Sequence, residues 1–258
     1  MMERTQIFDL MGELKLYGMR SAYDEVMAAG VKRQHEPPQI VGDLLKAEIA
    51  EKHARSIKYQ MTIAKLPLAK DIDDFDFDGA TVNETLARDL SSGGFVAQQR
   101  NIVLVGGTGT GKTHLATAIT ASVVCAGARG RYFNTVDLVT RLEEEARIGK
   151  AGAMAAQLSR LDVVVLDELG YLPFARSGGQ LLFHLISKLY EKTSVIITTN
   201  LAFGEWPTIF PNAACTTALI DRLVHHSEII SIEGESYRKR EAEADKEATA
   251  TRRRKKRS

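Results

Sequence analysis

Beyond about residue 100, short apolar runs rich in Val, Ile and Thr alternate with longer segments whose apolar residues recur at helical spacing. This alternation is typical of a parallel β-sheet whose strands are joined by crossover helices. Five strands are predicted, at residues 101–105, 131–134, 162–167, 194–199 and 228–232. Helices are predicted at 114–124, 136–147, 179–191 and 217–225. The third and fourth strands are nearly continuous in Val, Ile and Leu, which predicts burial on both faces and therefore an αβα sandwich.

The front of the chain follows a different pattern, with apolar residues at helical spacing on either side of a break at Pro37 and Pro38. The two series are Ile7, Leu10, Met11, Leu14 and Tyr17, and then Ile40, Leu44, Leu45 and Ile49. They predict a small all-helical N-terminal domain over residues 1–66, followed by the α/β domain over 67–237. A charged basic tail, predicted to be disordered, occupies residues 238–258.

Composition places the chain among ordinary globular proteins, because 44% hydrophobic residues are ample for a buried core. Cys125 and Cys215 lie far apart and form no C-x-x-C motif, so neither a disulfide framework nor a zinc cluster is expected. The start of the chain shows no apolar signal segment, and the longest weakly apolar stretch, 115–128, is too short to span a membrane. We therefore expect a cytoplasmic protein with no membrane partner.

A glycine-rich joint lies between the first predicted strand and the helix that follows it. Within it, Gly106, Gly111, Lys112 and Thr113 match the pattern G-x-x-x-x-G-K-[ST] in full. Glycines allow backbone N–H groups to point inward around a phosphate, and the helix offers its positive N-terminal end. The lysine is expected to bridge the β- and γ-phosphates, and the threonine hydroxyl to hold Mg²⁺. The predicted nucleotide-binding residues are Gly106, Gly107, Thr108, Gly109, Thr110, Gly111, Lys112, Thr113 and His114.

An acidic pair, Asp167 and Glu168, ends the third predicted strand. Ligands of open α/β sheets bind beyond the carboxyl ends of the strands, so the pair is expected beside the glycine-rich joint. Asp167 is predicted to bind in the Mg²⁺ shell, and Glu168 to polarise a water for in-line attack on the γ-phosphorus. Asn200 follows the fourth strand, where it either orients this water or simply closes the strand in a turn. The pair favours hydrolysis over phosphorylation of a small molecule. Further along the chain, Arg238 is a weaker candidate for sensing phosphate.

Three groups of basic residues are candidates for nucleic-acid or subunit contacts, each with a simpler alternative. Arg222 is expected on a short helix, where it either pairs with Asp221 or, in a ring or spiral, reaches a neighbour's γ-phosphate. Lys52, Arg55 and Lys58 stand three residues apart and form either a DNA-binding surface or a solvated helix face. The final segment, RRRKKRS, either contacts phosphate backbones or is merely solvated.

Several segments together resemble one family. They are GGTGTGKTHLA, VVVLDELGYLP, VIITTN, LIDRLVHH and IEGESYR, and the front segment LLKAEIAEKHARSIKYQM extends the likeness over most of the chain. The sequence is similar to the IstB-like transposition helper ATPases, which are AAA+ proteins close to the DnaC-type helicase loaders. The resemblance implies ATP and Mg²⁺ as cofactors, an ATP-dependent homo-oligomeric ring or spiral on double-stranded DNA, and stimulation of a partner transposase. It also implies that Asn200 is the sensor and Arg222 the finger that acts in trans.

The likeness departs from many AAA+ proteins at the end of the chain, where few and mostly charged residues follow the fifth predicted strand. We therefore expect no C-terminal lid domain, so that a neighbouring subunit closes the ATP site. A replicative helicase loader would share the nucleotide residues and differ in its partner. A scaffold that binds ATP without turnover is a further alternative, while Glu168 disfavours a small-molecule P-loop kinase.

Overall fold

Three helices form the front of the chain, and local sequence explains where they begin and end. The computed structural model describes residues 3–67, 71–171, 175–210 and 213–234. The helices are α1 (Arg4–Glu13), α2 (Tyr17–Arg33) and α3 (Pro37–Ala64). Lys15 and Gln34 adopt left-handed backbone conformations, with φ of 57° and 54°, just after the first and second helices. The first predicted apolar series is therefore divided between α1 and α2, whereas α3 begins at the predicted proline break.

The described residues form two compact units, which divide between Tyr59 and Gln60. Within the first unit, α2 crosses α3 closely at Gly18, where an added Cβ would lie 2.5 Å from the carbonyl oxygen of Ala47. The buried carboxylate of Glu48 accepts hydrogen bonds from the backbone N–H groups of Gly18 at 2.8 Å and Met19 at 3.1 Å. A carboxylate of α3 therefore caps the first turn of α2, where N–H groups have no partner within the helix.

The pKa of Glu48 reflects two opposed effects. Burial raises it, but the N–H donors of Met19 and Gly18, together with Lys52, outweigh burial and leave the pKa below its ordinary value. The Lys52 ammonium lies 3.5 Å from Oε1 of this carboxylate. The charged form of Glu48 is therefore favoured by the folded helical unit.

The second unit is built on five parallel strands, which confirms the predicted sheet. They are β1 (Asn101–Gly106), β2 (Gly130–Asn134), β3 (Val163–Leu169), β4 (Ser194–Thr199) and β5 (Ser227–Ile232). Their spatial order is β2-β3-β4-β1-β5, and each neighbouring pair runs parallel. The carboxyl ends of β1, β3 and β4 therefore meet at one edge of the sheet, which brings the glycine-rich joint, the acidic pair and Asn200 to the same side.

Helices cover both faces of this sheet. They are α4 (Glu84–Ser91), α5 (Gly94–Ala97), α6 (Lys112–Cys125), α7 (Thr135–Arg147), α8 (Ala153–Leu158), α9 (Arg176–Leu189) and α10 (Ala213–Val224). Successive residues of β1 point to opposite faces: Val103 packs in the core with α7 to α10, while Ile102 and Leu104 pack in the core with α4 to α6. The predicted αβα sandwich is therefore confirmed.

Several short elements of the second unit were not predicted from the sequence. These are α4, α5, α8 and two 3₁₀ turns at Ile72–Asp74 and Phe203–Thr208. Asn83 caps α4 by accepting the Leu86 N–H at 3.1 Å. None of the helices that the structure describes has the length and hydropathy needed to cross a membrane. The predicted domain limits stay predictions, and the tail at 238–258, like any lid beyond residue 234, lies outside the described residues.

Candidate nucleotide-binding site

The glycine-rich loop, residues 106–111, connects the end of β1 to the first turn of α6. Gly111 is the N-cap of α6 and has a φ of 96°, in the left-handed region that favours glycine. At Gly106 an added Cβ would lie only 2.2 Å from the carbonyl oxygen of Ile232, so β5 excludes any side chain there. The N–H groups at the start of α6 and the positive end of its dipole together provide an anion site.

Lys112 places its positive charge on the loop itself. Its Nζ donates hydrogen bonds to the carbonyl oxygens of Gly106 at 2.8 Å and Gly107 at 2.6 Å. The Thr110 hydroxyl donates to the Gly107 carbonyl at 3.0 Å, which tightens the loop from within. A phosphate bound in the loop would therefore meet backbone N–H groups and an ammonium group that is already close by.

The side chains of Thr113 and Asp167 meet across the edge of the sheet, which the sequence predicted for a common cation site. The Thr113 hydroxyl donates to Asp167, with Oγ1 lying 2.9 Å from Oδ1 and 3.1 Å from Oδ2. Asp167 is only 3% exposed, although it carries a carboxylate. Hydroxyl and carboxylate oxygens are the ligands that Mg²⁺ prefers beside nucleotide phosphates, so the donor set fits this ion.

Three further hydroxyl groups hold Asp167, and none of them was predicted from the sequence to do so. The Tyr132 hydroxyl donates to Oδ2 at 2.5 Å, and the Thr198 hydroxyl donates to Oδ1 at 2.5 Å. The Thr135 hydroxyl donates to the backbone carbonyl of Asp167 at 2.7 Å. Burial raises the pKa of Tyr132, and its hydrogen bond to Asp167 and the nearby charge of Glu168 raise it further.

Glu168 leaves the regular geometry of β3. Its φ is 60°, and the pairing of β3 with β4 shifts register between Leu166 and Leu169. Its N–H donates to the Thr198 hydroxyl at 2.9 Å. This irregularity exposes the Glu168 side chain beside the buried Asp167, whereas regular alternation would place it on a covered face of the sheet.

Asn134 is a further residue of the site that was not predicted from the sequence. Its Nδ2 donates to Oε2 of Glu168 at 2.8 Å, and its Oδ1 accepts the N–H of Val136 at 3.0 Å as the N-cap of α7. Both partners require the same orientation of the amide, because only nitrogen can donate to the carboxylate. The available signal was an asparagine at the start of a helix that directly follows a strand.

Two other predicted residues lie at the same edge of the sheet. Asn200 is exposed and directly follows β4, whose last residue, Thr199, pairs with Val105 just before the loop. His114 lies in the first turn of α6, with Nε2 3.3 Å from the Asp71 carbonyl oxygen. The His114 ring also meets the edge of Phe75, with ring centroids 5.4 Å apart. The structure therefore brings the predicted loop residues, Asp167, Glu168 and Asn200 to one edge.

Arg222 is placed differently. Its guanidinium donates to the Ser187 hydroxyl and lies over the Phe183 ring, 5.2 Å from the ring centroid. Both partners belong to α9, so the arginine packs on its own subunit and its described contacts are not with the loop or with Asp167. Its predicted role in trans therefore stays a prediction, and Arg238, a weaker candidate for sensing phosphate, lies outside the described residues.

The candidate DNA-binding residues lie on α3, and two of them form ion pairs within that helix. Lys52 lies 3.5 Å from Glu48, and Arg55 lies 3.2 Å from Glu51 and also over the Tyr17 ring. Lys58 is exposed on the same helix. Such ion pairs occur on a solvated helix face, and they also occur on a surface whose basic side chains leave their carboxylate partners to bind DNA phosphates. DNA contact therefore stays a prediction.

Comparison with known proteins matches nearly the whole chain. The model of the family described as IstB-like ATP binding protein matches residues 9–245. The chain is 38% identical over 205 residues to a Geobacillus stearothermophilus protein described as an ATP-binding protein of insertion sequence IS5376, covering 79% of this chain and 82% of that protein. It is 33% identical over 233 residues to the corresponding IS21 protein of Pseudomonas aeruginosa, covering 90% and 88%.

Solved structures resemble the chain in fold. The DnaC helicase loader superposes with a TM-score of 0.50 at 24% identity, covering 64% of this chain and 98% of that chain. DnaI superposes with a TM-score of 0.54 at 17% identity, covering 64% and 91%. At these identities the likeness shows the shared α/β P-loop fold alone.

Proposed function

The chain belongs to the family of IstB-like ATP binding proteins, and from this premise we propose that it is a magnesium-dependent ATPase that assembles on DNA and regulates transposition. The proposed assembly is a ring or spiral of identical subunits on double-stranded DNA, and its proposed client is a transposase. The similar proteins from Geobacillus stearothermophilus and Pseudomonas aeruginosa are described as ATP-binding proteins of insertion sequences, which supports a role in transposition.

The hydrogen bond between Thr113 and Asp167 is the observation that carries the catalytic part of the proposal. It joins the first turn of α6, directly after the glycine-rich loop, to the acidic end of β3 across 2.9 Å. In the proposed active state these two residues hold Mg²⁺, while the loop N–H groups and Lys112 bind the phosphates. Bound Mg²⁺ neutralises charge on the phosphates and polarises the transferred phosphoryl group.

Glu168 is the proposed general base. Its carboxylate is exposed next to the buried Asp167, where it can accept a proton from a water that attacks the γ-phosphorus. In the structure this carboxylate already accepts a hydrogen bond from Asn134 through Oε2, which restrains its orientation and occupies an oxygen that would otherwise take the proton. We therefore expect slow hydrolysis by the isolated subunit and faster hydrolysis when assembly on DNA separates Asn134 from Glu168.

In the proposed assembly, a neighbouring subunit supplies the arginine that the described part of one subunit does not place at its own site. Arg222 packs on α9 of its own subunit, and we propose that its exchange of Ser187 for a neighbour's γ-phosphate couples hydrolysis to assembly. Lys52, Arg55 and Lys58 are the proposed DNA contacts. Because these contacts would release counterions, DNA affinity should fall steeply with salt, by a log–log slope of about −0.9 per phosphate contact.

The mass of the protein in solution, measured by light scattering, tests this proposal most directly. Samples contain a short DNA duplex, ATP or a non-hydrolysable analogue, both together, or neither. We expect a large complex only when DNA and nucleotide are both present. A monomer under all four conditions would contradict the proposed assembly and would favour the scaffold that binds ATP without turnover.

The partner separates the proposed function from that of a replicative helicase loader. Both functions use the same nucleotide residues, so ATP hydrolysis does not distinguish them. Immobilised protein loaded with DNA and ATP is expected to retain the transposase of an IS21-type insertion sequence and not a replicative helicase. Retention of the helicase alone would assign the chain to helicase loading.

A further inference from the structure

The carboxylate of Asp167 is held by hydroxyl groups from three separate elements of the fold. Thr113 reaches it from α6, Thr198 from β4 and Tyr132 from β2. β2 is an edge strand that pairs with β3 so that Asn134 lies opposite Asp167. Tyr132 lies two residues before Asn134 on β2, so its side chain reaches along the strand to the Asp167 carboxylate on β3.

The two oxygens of the carboxylate have different partners. Oδ1 accepts from Thr198 at 2.5 Å and from Thr113 at 2.9 Å. Oδ2 accepts from Tyr132 at 2.5 Å, while its distance to Thr113 is 3.1 Å. Tyr132 is thus the close donor to Oδ2, and without its hydroxyl this oxygen keeps only the longer, shared contact with Thr113.

The orientation of this carboxylate also decides the orientation of the Thr113 hydroxyl. A hydroxyl group has one proton to donate, and here it points to Asp167, so the oxygen lone pairs of Thr113 remain available to a cation. A carboxylate that rotates would change both its own oxygens and the direction of the threonine lone pairs. Groups that hold metal ligands by hydrogen bonds tune metal affinity in this way in other metal sites.

We propose that Tyr132 is a positioning residue for magnesium: its hydroxyl fixes the Asp167 carboxylate so that Asp167 and Thr113 together present oxygens to the ion. The inference rests on the proposed function in one respect, namely that Asp167 and Thr113 hold Mg²⁺ beside the nucleotide. It goes further because it makes the affinity of the site for the metal depend on a residue of the edge strand β2. Tyr132 does not touch nucleotide or metal in this scheme and acts only through Asp167.

The alternative is that Tyr132 matters only for packing, since its ring lies partly buried against the core that contains α4 to α6. Substitution Tyr132→Phe separates the two roles because it keeps the ring and removes the hydroxyl. A positioning role predicts about a tenfold loss of metal affinity, the lower end of what such supporting contacts contribute. A packing role predicts no change in metal affinity.

Metal affinity is measured without relying on hydrolysis. Mn²⁺ is titrated into the protein–ADP complex, and the electron paramagnetic resonance signal of free Mn²⁺ reports binding. In parallel, ADP affinity is measured with Mg²⁺ and with a chelator, and the ratio of the two affinities reports the metal contribution. This ratio cancels any general loss of folded protein or of nucleotide binding.

Tyr190→Phe is the matched control, because the Tyr190 hydroxyl also forms a side-chain hydrogen bond, with His225 at 3.3 Å, away from the loop and the acidic pair. We expect Tyr132→Phe to bind Mn²⁺ about tenfold more weakly and to lower the affinity ratio equally, while Tyr190→Phe matches the wild type. A Tyr132→Phe variant within twofold of wild type in both readouts would overturn the inference. Failure of the wild-type protein to bind ADP at all would instead overturn the proposed function.

Discussion

The side-chain amide of Asn134 donates a hydrogen bond to the carboxylate of Glu168, with Nδ2 and Oε2 2.8 Å apart. The same amide accepts the Val136 N–H and so caps α7. One side chain therefore fixes both the start of a helix and the proposed general base. Any movement of β2 relative to β3 would lengthen or break this hydrogen bond, and the Glu168 carboxylate would then be free to reorient.

Substitution Asn134→Asp is expected to increase hydrolysis in the absence of DNA. Aspartate retains the oxygen that caps α7, but it has no donor for Glu168, and its negative charge repels the Glu168 carboxylate and so releases it from β2. Loss of a hydrogen bond worth about 1.4 kcal/mol corresponds to roughly a tenfold increase in rate. The measurement is phosphate release with and without a DNA duplex. The rate with DNA divided by the rate without DNA should be smaller for the variant than for the wild type.

Asn134→Ala is the control for this experiment, since it removes both the donor and the helix cap. It should raise the basal rate in the same direction but also lower the thermal midpoint, because a lost cap destabilises by about 1 kcal/mol. A basal rate at or below wild type in both variants would show that Asn134 does not restrain Glu168.

Glu168→Gln is expected to separate ATP binding from hydrolysis. Glutamine keeps the size of the side chain but cannot accept the proton of the attacking water, so turnover should fall by about 10²- to 10⁴-fold. Binding of ATP and assembly on DNA should persist, and the assembled state should live longer. Lys112→Ala is the comparison, because it removes the ammonium group from the loop and should abolish both nucleotide binding and assembly. Sizing of both variants with ATP and DNA checks this, and a Glu168→Gln protein that stays monomeric would count against the scheme.

The sequence predicted the sheet, the glycine-rich loop and the acidic pair because all three depend on local patterns. Apolar runs located β1 to β5, and the spacing of the loop motif together with the acidic end of β3 predicted that Thr113 and Asp167 would meet. Tyr132 and Asn134 were missed for a physical reason. Their partners lie on β3, and neither the order of the strands nor the register of β2 against β3 can be read from alternation alone.

The backbone of Glu168 was equally invisible in the sequence. Its left-handed φ and the register shift before Leu169 reverse the exposure that regular alternation predicts. Arg222 illustrates the opposite case, because its position on α10 was predicted but its partner was not. Its described contacts are with Ser187 and Phe183 on α9, which come near only when the helices pack.

Arg222→Ala is expected to reduce hydrolysis in the assembled state by about 10³-fold, the lower end of the contribution of an arginine finger. ATP affinity of the isolated subunit should not change, because the described contacts of Arg222 are with α9. Ser187→Ala is the control, since it removes the partner of the guanidinium within the subunit and should leave hydrolysis on DNA intact.

Mixing of variants tests whether Arg222 acts in trans. Arg222→Ala subunits lack the arginine but retain Glu168, and Glu168→Gln subunits lack the general base but retain Arg222. Each variant alone should therefore hydrolyse ATP slowly. A mixed assembly should regain part of the phosphate release on DNA, because Arg222 of one subunit then serves the intact site of another. No recovery across all mixing ratios would indicate that the arginine acts within its own subunit or not at all.

Glu48 makes the stability of the helical unit depend on pH. Its pKa is lower in the folded state than in the unfolded state, so the folded state binds fewer protons and gains stability above the ordinary glutamate pKa of about 4.3. This contribution should be lost as the pH falls through the depressed pKa of the folded state. Thermal melts between about pH 7 and pH 3 should show that the advantage of wild type over Glu48→Gln shrinks with acid.

Substitution of glycine by alanine should have opposite effects on the stability of the helical unit at two positions. At Gly18 an added Cβ would lie 2.5 Å from the Ala47 carbonyl oxygen and 2.7 Å from Cα of Glu48, so α2 and α3 would have to move apart. Gly18→Ala should therefore destabilise the unit by about 1–3 kcal/mol, as overpacked sites do. At Gly42, within α3, an added Cβ meets nothing within 4 Å. Gly42→Ala should stabilise the helix by about 0.5–1 kcal/mol, because alanine loses less backbone entropy on folding. Urea unfolding followed by helical circular dichroism measures both, and equal destabilisation by the two variants would contradict the close crossing of α2 and α3 at Gly18.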